Sequence, residues 1–213
     1  MAYPYSVAPH LEYLNVPFGE FAAARREFDA FGVGGYIFAH PAPQADNSSM
    51  PRVLLIQRAM TDSMPGCWEG PGGAAEPHED RTLLDGVVRE VVEETGLHVS
   101  RIVELTSVHV WFHARRGIRI AKYNFIVEIH EATRLSPEGT VEIVPAEQIP
   151  VELDANEHSA FDWVLEDELQ QSLNSNGCGK YNFGPSIIGH TAQDVTRAFS
   201  LVKRASRPRV GDD

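Results

Sequence analysis

The most constraining feature of this chain is a glycine-rich loop that leads directly into an acidic helix, over residues 70 to 97. The loop reads GPGGAAEPHE and the helix pattern ends in REVVEETGL. Glycine has no Cβ atom, so its backbone can approach a ligand or a metal closely. Thr82 is a suitable N-cap with Asp85 completing a capping box, and Gly96 is a natural C-terminal stop. The sequence therefore predicts a tight loop followed by one helix with defined ends.

The predicted helix separates apolar and acidic residues onto opposite sides. At about 100° per residue, one stripe contains Leu84, Val88, Val91, Val92 and Thr95. Glu90, Glu93 and Glu94, spaced i, i+3 and i+4, form an acidic arc on the other side. Such an arc alone is consistent with a solvated face, because exposed like charges repel by only a few tenths of a kcal/mol. Beside a glycine loop, however, three converging carboxylates offer the hard oxygen ligands that Mg²⁺ or Mn²⁺ bind.

This loop and helix resemble the Nudix box, the signature of enzymes that hydrolyse nucleoside diphosphates linked to another moiety. The matching positions in this sequence are Gly73, Glu79, Arg89, Glu90, Val91, Glu93, Glu94, Gly96 and Leu97. Nine residues separate Glu79 from Arg89 where the family pattern has seven. We interpret the difference as a two-residue lengthening of the loop that leaves the helix intact.

The resemblance implies an α/β (α+β) fold, an α/β/α sandwich in which a mixed sheet lies between helices. We expect a partly helical N-terminal arm over residues 1–30 and the Nudix domain over 31–175. Residues 176–213 are expected to form a loop and a helix that pack on that domain. Strand patterns in VGGYIFAH, RVLLIQRA and FDWVL fit this organisation, and PAPQADNSSMP is typical of a surface loop.

The resemblance also implies a set of site residues. Metal ligands are expected to be Gly73, Glu90, Glu93 and Glu94, and Arg89 is expected to pair with Glu79 and hold Glu90. The expected activity is Mg²⁺- or Mn²⁺-dependent hydrolysis of a P–O–P bond, with bound metal neutralising the diphosphate and activating water. The general base is either Glu90 or a residue of the loop DANEHSAFDW, with Glu157 preferred over His158 and Asp162. Candidate substrate-binding residues are Trp111, His109 and Arg58, although a Trp on an exposed face is more often a rim residue or a partner-helix contact.

Two strand-like runs, SVHVWFH and YNFIVEI, flank ARRGIRIAK and predict a long antiparallel hairpin. In the first run, Val108, Val110 and Phe112 alternate with His109, Trp111 and His113. We expect the apolar set to face the core and the other set to form an aromatic and imidazole-bearing face. In the second run, Tyr123, Phe125, Val127 and Ile129 share a face. A separate short strand is expected at HVSRIVEL.

Composition limits the partners. A formal net charge of −12 disfavours a stable nucleic-acid partner, which requires basic surfaces. No apolar run is long enough to cross a bilayer and no secretory signal is evident, so we expect a cytoplasmic protein with reduced Cys67 and Cys178. The expected partner is a small diphosphate substrate, and a homodimer is a candidate assembly.

Two rival functions remain at this stage. One is a Nudix-fold biosynthetic enzyme or isomerase acting on a diphosphate-bearing metabolite, for which Cys67 lacks the surrounding motif. The other is a non-catalytic nucleotide-ligand sensor, which would normally lack the glutamates that this chain retains.

Overall fold

Seven strands among the described residues form one mixed sheet. The computed structural model describes residues 3–39, 50–61, 63–175, 179–184 and 191–206. The sheet strands are β1 (Ser6–Val7), β2 (Ala30–Ala39), β3 (Arg52–Arg58), β4 (Trp68–Glu69), β5 (Val99–His113), β6 (Ile118–Ile129) and β9 (His158–Leu165). Their order is β1-β5-β6-β2-β3-β4, and β9 runs antiparallel along β3. β2 and β6 are parallel, while β5 and β6 are antiparallel. A separate small hairpin joins β7 (Thr133–Leu135) and β8 (Val141–Ile143).

Helices cover both faces of this sheet. They are α1 (Phe18–Ala23), α2 (Leu83–Thr95), α3 (Glu166–Asn174) and α4 (Thr191–Ala205), with short 3-10 turns at Pro9–Leu14, His130–Ala132 and Ala146–Gln148. On one face, Val87 of α2 packs in the same core cluster as Val33 and Ile37 of β2. On the other face, Phe199 of α4 meets Phe38 of β2 edge-on, with ring centroids 5.1 Å apart. The predicted α/β/α sandwich is confirmed.

The N-terminal segment packs into the main core. Its buried apolar residues, which belong to the cluster on the α2 side, are Leu11, Leu14, Phe18 and Phe21. β1 also pairs with β5 in parallel through Ser6 and Val7. The predicted loop at PAPQADNSSMP falls largely, and Cys178 entirely, outside the described residues.

Helix α2 begins and ends as its sequence predicts, but its buried surface is rotated from the predicted apolar stripe towards the acidic arc, and Val88 and Val92 are only half-buried. Thr82 and Asp85 form a reciprocal capping box, and Gly96 adopts a left-handed conformation with φ of 68°. Val87 is fully buried, although it lies outside the predicted stripe. Glu90 and Glu94 are only 9% and 5% exposed. Two of the three acidic side chains therefore do not lie on a solvated face.

The β5–β6 hairpin corrects one prediction about its faces. β5 is a single 15-residue strand, so HVSRIVEL and SVHVWFH are continuous, with register shifts before Ser107. Val108, Val110 and Phe112 are 41%, 48% and 61% exposed, so the prediction that they face the core is wrong. The opposite face is covered instead, because His109 contacts Asp194 of α4.

The residues predicted to share one face of β6 do share it, and the structure shows that this face is buried. Its four members, all at most 6% exposed, are Tyr123, Phe125, Val127 and Ile129. Tyr123 packs edge-on against Phe21 of α1, with ring centroids 5.4 Å apart. The N-terminal segment thus helps to bury the face that the alternation singles out.

Candidate active site

The glycine loop lies in direct contact with the acidic side of α2. The Gly72 N–H donates a 2.6 Å hydrogen bond to Oε2 of Glu94. Gly72 has φ of +150°, and a Cβ atom there would lie 2.3 Å from the Val33 carbonyl oxygen. A Cβ atom on Gly73 would lie 2.6 Å from Oε2 of Glu90. Glycine is therefore required at both positions for the loop to close over the two carboxylates.

Arg89 connects the loop to the helix through all five of its N–H donors. Nε and Nη2 donate to the two oxygens of Asp80 at 2.9 and 3.0 Å. Nη1 donates to Glu90 and Glu93, each at 2.9 Å, and Nη2 also donates to the Ala74 carbonyl at 2.8 Å. The hydrogen bonds that Arg89 donates to Asp80, supported by Glu90 and opposed by burial, raise the pKa of Arg89 well above its usual range. The guanidinium therefore remains charged and fixes the position of the Glu90 carboxylate.

The partner of Arg89 differs from the one predicted. Glu79 lies 3.8 Å from Nε and its side chain is 64% exposed, whereas Asp80 is buried and makes the bidentate pair. A turn explains the difference, because the Asp80 N–H donates to the Glu76 carbonyl at 2.8 Å while the Asp80 carboxylate accepts from the Glu76 N–H. The longer loop leaves the acidic residue next to Glu79 facing inward. Asp80 directly follows Glu79 in the sequence, and this adjacency is the signal that could have identified it as the partner of Arg89.

Burial changes the proton affinity of the helix carboxylates. It raises the pKa of Glu94 to about 7, against the opposing effects of His158 and of the Gly72 N–H. It also raises the pKa of Glu90, although the neighbouring Arg89 partly offsets this effect. Glu93 is more exposed, at 55% of its side chain. Buried carboxylates need a compensating cation when they ionise, and a divalent metal supplies one.

A second group of residues borders Glu94 on the β4 and β9 side. Oε1 of Glu69 accepts a hydrogen bond from Nη1 of Arg58 at 2.5 Å. Nε2 of His158 lies 3.8 Å from Oε1 of Glu69 and 3.8 Å from Oε1 of Glu94. The nearby His158, together with the positive charges of Lys122 and Arg58, lowers the pKa of Glu69 despite its burial. The sequence did not single out Glu69, because it lies on a two-residue strand that ends just before the glycine loop.

The structure brings two of the three loop candidates for the general base, Glu157 and His158, to the site and separates the third, Asp162, from it. Potential ligand atoms of Glu94, Glu157 and His158 all lie within 4.8 Å of one another. Asp162 instead pairs with Lys180 and accepts a 2.8 Å hydrogen bond from the Tyr181 hydroxyl. Asp162 lies four residues beyond His158 on β9, which is about 13 Å along an extended strand, so it lies away from Glu94.

The Gly73 carbonyl, a predicted metal ligand, already takes part in a backbone hydrogen bond. It accepts from the Val33 N–H at 2.9 Å. A carbonyl oxygen has a second lone pair, so the bond to Val33 leaves one acceptor site for another ligand.

A pocket adjoins the carboxylates on the α4 side of the sheet. It has a volume of about 170 Å³, and its lining includes Arg58, Trp68, Glu69, His109, Trp111, Lys122, Asn124, Phe183 and Asp194. The three predicted substrate-binding residues therefore share one cavity. Asn124 donates a 3.1 Å hydrogen bond to Asp194, and His109 forms an ion-pair contact with the same carboxylate.

Lys122 lies between the pocket and the carboxylates and was not singled out from the sequence. It pairs with His109 across the hairpin, and Nζ donates to the Gly72 carbonyl at 3.5 Å. A Cβ atom on Gly32 would lie 3.2 Å from the Lys122 Cγ atom, so glycine in β2 makes room for the lysine. The hairpin register, combined with the predicted His109 face, was the signal that could have identified it.

Comparisons with known proteins identify the family of this chain. A family model described as the NUDIX domain matches residues 44–180. The chain is 30% identical over 170 residues to the human m7GpppN-mRNA hydrolase NUDT17, covering 75% of this chain and 49% of that protein. It is 34% identical over 122 residues to a MutT-like protein from Streptomyces ambofaciens, covering 57% and 60%. The chain thus spans about half to three-fifths of the length of these curated relatives.

A solved structure shows the same fold. The NUDIX domain of Shewanella oneidensis NrtR, cocrystallised with ADP ribose, is 18% identical, with 86% of this chain and 97% of that chain covered and a TM-score of 0.53. None of the helices among the described residues combines the length and apolarity needed to span a bilayer.

Proposed function

The chain belongs to the Nudix family, and from this premise we propose that it is a metal-dependent hydrolase of a diphosphate bond in a nucleotide-linked or similar small metabolite. One observation carries the proposal. Glu90 and Glu94, both buried, are held by Arg89 and by the Gly72 N–H, respectively. Lys122 and Glu69, which line the pocket, interact electrostatically with Glu90 and Glu94. Buried, pre-positioned carboxylates are costly to a fold unless a cation uses them.

We assign the metal-holding role to Glu90, Glu93 and Glu94, with the Gly73 carbonyl as a further oxygen ligand. When bound, Mg²⁺ or Mn²⁺ would neutralise the diphosphate and lower the pKa of a water molecule. Arg89 positions Glu90 through its 2.9 Å hydrogen bond, and Asp80 takes over much of the anchoring role predicted for Glu79.

Glu157 is our first choice for the general base, with Glu90 as the alternative. The Glu157 carboxylate is exposed and lies beside Glu94. An exposed carboxylate can exchange its proton with solvent after each turnover, and it lies close enough to the metal ligands to act on a nearby water.

The pocket is proposed to hold the substrate. Lys122 lies between the carboxylates and the aromatic lining, where an ammonium group would contact phosphate oxygens. Trp111 and His109 are proposed to contact the flat group attached to the diphosphate. Arg58 lines the same pocket and donates to Glu69 and to the Ser63 carbonyl, so we propose that it also positions Glu69.

No observation favours the rival functions. Cys67 lines the pocket, but burial and the nearby Glu69 raise the pKa of its thiol, which disfavours a reactive thiolate. The glutamates that a non-catalytic sensor would normally lack are present and engaged. A cytoplasmic location, a homodimer and the absence of a nucleic-acid partner remain parts of this proposal.

A substrate panel tests the proposed activity. Purified protein is incubated with diphosphate compounds and Mg²⁺ or Mn²⁺, and the phosphorylated products are separated by chromatography. We expect turnover that a chelator abolishes and that falls by about 10³-fold in Glu93→Gln and Glu94→Gln, because each substitution removes a charged ligand. Glu138→Gln, an exposed glutamate in the β7–β8 turn, is the control. Turnover at wild-type levels in both ligand variants would contradict the proposal.

A further inference from the structure

His158 is a buried imidazole without hydrogen bonds at the edge of the carboxylate cluster. Its side chain is 1% exposed. Neither ring nitrogen has a hydrogen-bond partner among the described residues. A buried polar group normally has such a partner, because leaving it unsatisfied costs about 1–3 kcal/mol. The two closest carboxylate oxygens lie 3.8 Å from Nε2, which is too far for a hydrogen bond.

The spacing around Nε2 fits a bound ion. An ion about 2.1 Å from each of two ligands holds those ligands roughly 3–4 Å apart. The 3.8 Å separation between Nε2 and the Glu94 carboxylate falls within this range. Glu157 provides a third ligand atom within 4.8 Å of both, and its exposure gives an ion a path from solvent.

The backbone fixes the two β9-side residues of this group. His158 is paired with Arg58 in the β3–β9 ladder, and its N–H donates to the Asp154 carbonyl at 2.8 Å. The Glu157 carbonyl accepts from the Ala59 N–H at 2.7 Å. The imidazole and the carboxylate are therefore presented to Glu94 by ordered backbone and not by a free loop.

From this geometry we propose that Glu94, Glu157 and His158 form a mixed nitrogen and oxygen site for a divalent transition-metal ion, adjoining the ligands Glu90 and Glu93. The inference rests on the proposed function in sharing Glu94 with the proposed metal centre. It also uses Glu157, so with this site occupied the general-base role passes to the alternative, Glu90. Imidazole is a good ligand for transition metals, whereas Mg²⁺ prefers oxygen ligands and water. The protein should therefore bind Mn²⁺ more tightly than Mg²⁺ and should bind it partly through nitrogen.

A proton is the competing occupant. A protonated His158 between Glu69 and Glu94 would neutralise both carboxylates without any metal. The two occupants differ in one measurable property, because only a metal ion ligated by His158 is bonded directly to an imidazole nitrogen.

Pulsed electron paramagnetic resonance of the full chain loaded with Mn²⁺ makes this distinction. We expect ¹⁴N modulation from a directly bonded imidazole in the wild type and in His113→Gln, a control on the hairpin tip. His158→Gln should lose the modulation and bind Mn²⁺ at least tenfold more weakly, while Mg²⁺ affinity changes less than twofold. Mn²⁺ bound by the wild type without ¹⁴N modulation, or no Mn²⁺ binding, would overturn the inference.

A second variant covers the case in which His158→Gln does not fold. Glu157→Gln alters an exposed side chain, so it should keep the fold and the ¹⁴N modulation while binding Mn²⁺ more weakly. Unchanged Mn²⁺ affinity in this variant would remove Glu157 from the site. The spectroscopic result is independent of turnover. Modulation without hydrolysis would support the site and overturn the proposed function. Hydrolysis without modulation would support the proposed function and overturn the site.

Discussion

Replacing Gly73 by alanine should displace the Glu90 carboxylate from its position in the site. The new Cβ atom would lie 2.6 Å from Oε2 and 2.9 Å from Cδ of Glu90. An ordinary contact begins near 3.4 Å, so the carboxylate must move from 2.6 to 3.4 Å, a shift of about 0.8 Å. Glu90 has little freedom to relax, because it is buried and bonded to Arg89 at 2.9 Å.

The magnitude follows from what this displacement breaks. A hydrogen bond between charged groups contributes about 1.5–3 kcal/mol, so we expect Gly73→Ala to lower the free energy of unfolding by about 2 kcal/mol. A misplacement of about 1 Å in a catalytic group can lower the rate by about 10²-fold. We therefore expect the variant to fold, to bind Mn²⁺ at least tenfold more weakly, and to lose about 10²-fold in kcat.

Chemical denaturation, Mn²⁺ titration followed by electron paramagnetic resonance, and steady-state hydrolysis give the three readouts. Gly19→Ala is the matched control, because no heavy atom lies within 4 Å of a Cβ atom there and the residue is in helix α1. That variant should be equally stable or up to about 1 kcal/mol more stable. If Gly73→Ala kept wild-type stability, Mn²⁺ affinity and kcat, close approach between the loop and Glu90 would not be needed for the site.

Three further changes test other parts of the structure. Asp80→Asn should lower the free energy of unfolding, measured in urea, by about 3 kcal/mol, because it breaks a buried ion pair. Glu79→Gln should change it by less than about 0.5 kcal/mol. Equal effects of the two substitutions would reject the assignment of Asp80 as the partner of Arg89. Raising the pH from about 4.5 to about 7 should destabilise the metal-free wild type more than Glu94→Gln. The raised pKa of Glu94 makes the folded state bind more protons than the unfolded state in that pH range, so stability falls as the pH rises. The same change in the free energy of unfolding with pH in both proteins would argue against a buried, protonated Glu94. Phe125→Ala should lower the free energy of unfolding by about 3–5 kcal/mol, because Phe125 is buried, and Phe112→Ser should lower it by less than about 1 kcal/mol, because Phe112 is exposed. A large loss of thermal stability in Phe112→Ser would mean that the Phe112 face of β5 is covered.

Local signals in the sequence were sufficient for helix α2 and its acidic arc. The capping box at Thr82, the stop at Gly96 and the spacing of Glu90, Glu93 and Glu94 depend on residues within one helix. Because helical geometry sets these distances by itself, the sequence predicts that the carboxylates lie together. The strands around them could be predicted for the same reason, since alternation of side chains is a property of one strand.

Only tertiary structure decided which surfaces are covered and which distant residues meet the carboxylates. Alternation along β5 defines two faces but does not say which one α4 covers, and the structure leaves Phe112 exposed while His109 meets Asp194. Lys122 and His158 interact with Glu90 and Glu94 from strands β6 and β9, which are distant from α2 in the sequence. Their proximity depends on strand order and register, and a single sequence carries no direct record of either.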